Sequence, residues 1–264
     1  MKYIKFLCFS LFVTLLSCEK VIDLDVNEIE QKLVIEAEFI ASENLVKVKI
    51  SKTKDVFSSE DFSFVSGAQA EIIDQNGVSN SLIDLGDGNY ELTGYMPTYN
   101  SKYTMKITYD GEIYESHDTL VVPVDLDSLT TEFQPQSLFG SEGYVVYMNF
   151  TDPNGPNYYR AVRTVNGEEL TSRGDQFLFD DGFSEGNQQS VPFFTDRYVV
   201  GDTVEVELRS YSEKSYTFTS ELIDIAGDSG QSAAPANPNF TWTNGAIGNF
   251  AAYGHDSKSI VIEE

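Results

Sequence analysis

Cysteine is nearly absent from this 264-residue chain: Cys8 and Cys18 are the only two, both within the opening "MKYIKFLCFSLFVTLLSCEKVIDLD". Everything after Cys18 must therefore hold together without a disulfide, by burying a core, which a chain of this size can do. Histidine is as scarce: His117 sits at a strand end and His255 near the C-terminus. Neither stands near a partner set for nucleophilic catalysis, and H-E-x-x-H, C-x-x-C, P-loop and strand-borne G-x-G-x-x-G patterns do not occur. The single tryptophan, Trp242, argues against an aromatic-lined sugar cleft. Positive charge is also short, with 17 Lys and Arg against 42 Asp and Glu and a net charge of −25. Such a surface repels phosphate backbones, so nucleic acid is excluded as a partner. With so many acids any carboxylate pair could be nominated for glycoside hydrolysis, so the count carries no information.

Long apolar runs are missing too, with one exception. Ile4 to Leu16 is almost wholly apolar behind Lys2 and Lys5. A bilayer-spanning helix needs about 20 apolar residues, so this run fits the h-region of a secretory signal. It ends in Leu15-Leu16-Ser17-Cys18, which resembles a bacterial lipobox. In that reading residues 1–17 are a signal peptide and Cys18 is the lipid attachment residue. The competing reading is an ordinary cleavage site with an incidental cysteine, but Leu15 is not the small residue such a site wants. Removing the leader takes two lysines with it and leaves a charge of about −27 on some 247 residues. Glu19 to Glu30 is short and acidic, and residues 18–30 read as a lipidated tether.

What is present is period two. Leu33, Ile35, Ala37 and Phe39 alternate with polar or outward positions; so do Val46, Val48 and Ile50, and Val204, Val206 and Leu208. Each run predicts a strand with one wet face. Asn76-Gly77, Asp110-Gly111 and Asn166-Gly167 are hairpin signals. Only Ser212 to Ile225 reads as helix, with Tyr216, Phe218, Leu222 and Ile225 roughly on one face, stopped by "AGDSGQSAAPANPNF". Closing strands are expected near Ile247–Tyr253 and Ser259–Ile262. A break near Pro123 divides the chain. The fold class is therefore all-β with two β-sandwich-like domains. An immunoglobulin- or transthyretin-like sandwich is expected over 31–123, and a second β-domain carrying the short helix over 124–264.

Two features could carry function. "DPNG" at Asp152–Gly155 and "FDDGFSEG" at Phe179–Gly186 cluster hard oxygens on loops, making Asp152, Asp180 and Asp181 the calcium candidates. The plainer reading is turn chemistry, where Asp, Asn and Gly are favoured for backbone reasons. No other metal and no cofactor is expected. Phe240, Trp242, Phe250 and Tyr253 form either a partner-facing aromatic cluster or a seal on the core of the second domain; the seal is the expected outcome.

These pieces together resemble one family. The lipobox, "CEKVIDLDVNEIEQKLVIEAEF", "FLFDDGF", "GDTVEVELRSYSEKSY" and "PANPNFTWTNGAIGNFAAYG" are similar to the domain-of-unknown-function 4249 family, lipoproteins of Bacteroidota. The resemblance spans nearly everything from Cys18 onward. It implies an outer-membrane location, with the cell surface favoured over the periplasmic face, and association with a TonB-dependent receptor. Asp118-Thr119-Leu120, Asp127-Ser128-Leu129 and Asp202-Thr203-Val204 also resemble the short O-glycosylation motif of exported proteins of that phylum, with Ser128 placed in an interdomain linker. The leading expectation is a non-enzymatic accessory protein, held to the membrane by its lipid. The alternative is a stand-alone surface adhesin or a glycan- or protein-binding lipoprotein, and a hydrolase comes third.

Overall fold

A computed structural model describes residues 31–54, 63–136, 141–182, 186–227 and 237–264. Cys18 and the expected leader and tether lie outside the described residues. The period-two runs become strands. In the first half β1 is Leu33–Ile40, β2 Leu45–Lys52, β3 Gln69–Ile73 and β4 Ser79–Ser81, followed by β5 Ile83–Gly86, β6 Asn89–Thr93, β7 Ser101–Tyr109 and β8 Glu112–Leu120. In the second half β9 is Leu126–Gln134, β10 Gly143–Thr151, β11 Tyr158–Val165 and β12 Glu168–Glu169, followed by β13 Phe177–Asp180, β14 Gln188–Pro192, β15 Thr203–Tyr211 and β16 Ile247–Val261. Among the described residues there is one α-helix, α1 at Glu213–Gly227.

Local chemistry sets the turns. Asp110-Gly111 and Asn166-Gly167 both take positive φ, as a tight hairpin requires. At Asn76-Gly77 the Asp74 carboxylate accepts the N–H groups of Asn76 and Val78, each at 2.8 Å. Ser212 caps α1, its hydroxyl accepting the Ser215 N–H at 3.1 Å.

The strands build a nine-stranded sheet in the order β12-β11-β15-β16-β1-β2-β6-β5, with β13 also on β11. A four-stranded sheet, β4-β3-β7-β8, faces one half of it, and a three-stranded sheet, β14-β10-β9, faces the other. The buried residues accordingly form two main clusters. One gathers Ile35, Phe39, Ile50, Ile72 and Tyr103 with Trp242 and Phe250. The other gathers Met148, Phe150, Tyr159, Phe193, Val206 and Leu208. The all-β fold is therefore two sandwiches that share one sheet.

The shared element is β16. Its first half, Ile247–Tyr253, runs parallel to β1, and its second half, Gly254–Val261, runs antiparallel to β15. The expected pair of closing strands is thus one 15-residue strand, because Gly254–Lys258 continues pairing instead of turning. Gly254 marks the crossing point: a Cβ there would come within 2.9 Å of the Pro123 ring. Pro123 lies between the two cores, and Gln31–Glu264 form one compact unit. The polypeptide after 240 returns to complete the first core. Ser128 lies within β9 and not in a linker, with its hydroxyl 3.3 Å from Asn149 Nδ2.

Candidate functional site

A concavity of about 660 Å³ lies on the outward face of the shared sheet and is walled by α1. Its floor follows from strand alternation. With Val48 and Ala37 turned inward, Lys47, Lys49, Glu36 and Glu38 must point outward. Register then lays them in rows: Glu38 opposite Lys47 opposite Glu91, and Glu36 opposite Lys49 opposite Asn89. Lys47 pairs with Glu38 at 2.8 Å, and the Lys49 ammonium sits 5.1 Å over the Phe64 ring. The wall is apolar. Phe218 and Leu222 are four residues apart on α1 and so project from one face, with Phe240 beside them. Leu222 is 47% exposed, and across the groove Leu85 is 61% exposed. Lys47, Lys49 and Arg160 balance Glu36, Glu38 and Glu91, so the groove is neutral within a chain of net charge −25. A neutral floor and an apolar wall suit an amphipathic segment laid along the sheet.

The family model described as a domain of unknown function, DUF4249, matches residues 19–259. The chain belongs to that family. No curated protein matches it. Among the described residues of this DUF4249 protein, no helix is long and apolar enough to cross a membrane.

The aromatic residues singled out in the sequence separate. Trp242 is buried in the first core, not the second, and its indole N–H donates to the Ile35 carbonyl at 3.0 Å. Phe250 is in the same core, fully buried. Tyr253 lies at the crossing point against Tyr211 and beneath the Arg209 guanidinium, 5.0 Å from its ring. Only Phe240 reaches the groove.

The acidic loops separate as well. Asp181 reaches the 152–157 loop, its carboxylate accepting the Asn157 N–H at 2.9 Å, whereas Asp180 interacts with the Tyr216 hydroxyl. Among the described residues, no group of three or more His, Cys, Asp or Glu is arranged to hold a metal. His255 contacts Glu43 at 3.3 Å, and the His117 carbonyl accepts the Lys214 ammonium. The His117 imidazole is held below its ordinary pKa by burial and by the charges of Lys214 and Lys102.

Two buried polar centres escaped sequence reading. Asp118 accepts four hydrogen bonds, from the Ser212 hydroxyl at 2.5 Å, the Ser215 hydroxyl at 2.7 Å, and the Thr119 and Ala252 N–H groups at 2.8 Å each. It thereby ties β8, the start of α1 and β16 into one knot. Burial pushes its carboxyl up while these donors oppose the rise. Arg163 is the other: fully buried, ion-paired with Asp196, and stacked 4.8 Å from the Phe193 ring. Period two carried the signal in both cases, since Asp118 is in phase with Ser116 and Leu120, and Arg163 with Tyr159 and Ala161.

A nucleophile-elbow pattern, which sequence reading had excluded as absent, does occur: Gly182-Phe183-Ser184-Glu185-Gly186 spells G-x-S-x-G. Residues 183–185 lie outside the described residues. The flanks differ from an elbow, which leads from strand into helix, because here strand β13 is followed by strand β14.

Proposed function

We propose that this chain is a non-catalytic binding protein of the cell envelope. In this reading Cys18 carries its lipid anchor at the outer membrane, and the protein works beside a TonB-dependent transporter. The groove over the shared sheet carries the proposal. It offers an apolar wall and a neutral polar floor on a scaffold whose strands are fixed by two cores, a combination suited to holding a segment of a protein partner. The lipid reading adds effective concentration: a tether of about a dozen residues would keep the groove near any barrel in the same membrane. Because the groove is neutral, its contact with a partner should depend little on salt, whereas contact through the acidic remainder of the surface would weaken as salt rises.

The test is a pull-down from gently solubilised membranes at low and moderate salt. Recovery of an outer-membrane transporter under both conditions is the expected result. Recovery of the protein alone under both would overturn the accessory role and favour a free-standing adhesin.

A further inference from the structure

The loop that follows β10 contains a buried carboxylate oxygen that the fold leaves unused. Asp152 is only 1% exposed. One of its oxygens accepts the Tyr159 hydroxyl at 2.5 Å, and its N–H donates to the Asn187 carbonyl at 3.0 Å. The other oxygen, Oδ2, is buried and has no hydrogen-bond partner among the described residues. A second carboxylate reaches the same loop. Asp181 accepts the Asn157 N–H at 2.9 Å, and its negative charge reinforces the burial that already holds the Asp152 carboxyl above the ordinary range.

An unsatisfied buried oxygen is costly, and a like charge beside it adds to the cost. A cation would remove both penalties together. The described groups around it are oxygen-rich. The Asn157 amide is pinned by donating to the Pro153 and Gly155 carbonyls, at 3.1 and 2.6 Å. The Asn154 amide oxygen abuts Gly186, where φ is +72° and a Cβ would come within 2.6 Å of that oxygen.

We propose that Asp152 and Asp181 bind a calcium ion, with amide and main-chain oxygens of the 152–157 loop completing the shell. Calcium takes six to eight hard oxygens in irregular geometry and does not need them all charged, so two carboxylates with neutral oxygens suffice. Magnesium demands a strict octahedron and gives up water reluctantly, so this two-stranded loop cradle suits it poorly. Asp180, which the sequence groups with Asp181, takes no part.

Terbium is the direct probe, because Tyr159 touches Asp152 and would sensitise the ion when tyrosine is excited. The purified full-length protein should show tyrosine-sensitised terbium emission that calcium displaces. Its melting temperature should rise by about 5 °C or more once calcium exceeds its dissociation constant about a hundredfold. Asp152→Asn and Asp181→Asn keep the shape and one acceptor oxygen of each side chain, so both should fold, bind no terbium and show no calcium shift. Absence of sensitised emission and of a calcium shift in the unaltered protein would overturn the proposal. So would an unchanged calcium shift in Asp152→Asn, or an equal shift with magnesium.

Discussion

Trp242 shows how one residue can offer two readings, a partner contact or a core seal. It is the only tryptophan and lies in a Gly- and Asn-rich stretch, yet it fills the first core and donates to Ile35. Trp242→Ala should therefore cost about 3–5 kcal/mol, as large-to-small aromatic changes in cores do. A thermal melt that hardly moves would place the ring at a surface. Asp118 makes the complementary case. Asp118→Ala would leave the Ser215 hydroxyl and the Ala252 N–H buried without an acceptor, at about 1–3 kcal/mol for each. Asp118→Asn keeps an acceptor and should lose less, a difference that denaturant titration resolves. The alternation of β8 and β11 made the burial of Asp118 and Arg163 readable. What was not readable was which distant donors and acceptors would meet them, because Asp118 finds Ser212 and Ala252 across separations of 94 and 134 residues.

At the level of elements, period two identified β1, β2 and β15, and the hairpin pairs marked three turns, because those signals are local. Pairing between remote strands is not local. The parallel contact of β1 with β16 joins Val34 to Ile247, and nothing near either residue announces it. One glycine records it. Gly248 has φ +113°, and a Cβ there would come within 2.2 Å of the Ile35 carbonyl oxygen. Gly248→Ala should cost about 3 kcal/mol or more by combining backbone strain with a clash against a strand that cannot move aside. The same pairing predicts that fragment 31–123 fails to fold alone, since Trp242, Phe250 and Ala252 of its core lie beyond it. Circular dichroism of that fragment should show a disordered chain. A cooperative melt would mean that the first sandwich closes without β16.

For the whole molecule, charge dictates the response to pH. Burial raises the carboxyls of Asp118 and Asp152, so the folded protein holds those protons longer than the unfolded chain does. The stability they contribute is complete below the ordinary carboxylate range and is lost as pH climbs through their raised values. Asp74, Asp84 and Asp202 are lowered, chiefly by the N–H groups of Val78, Gly67 and Val199 respectively. Their contribution is present above the ordinary range and is lost as pH falls through their depressed values. Repulsion among 42 acids also eases on mild acidification. The melting temperature should rise from pH 7 to about 5 and fall again below about 4. A steady decline from neutral pH downward would contradict this. If Cys18 carries the proposed lipid, Cys18→Ala should release the protein from the membrane fraction, since stable anchoring needs the lipid chains. The central claim is that the groove, not the acidic remainder of the surface, holds the partner. Co-purification of Leu222→Glu beside the unaltered protein tests it most directly, with melting temperatures measured on both. The prediction is loss of the transporter with a melting temperature within about 2 °C of the original, because Leu222 is half exposed and outside both cores. Equal recovery of the transporter by both proteins would contradict it.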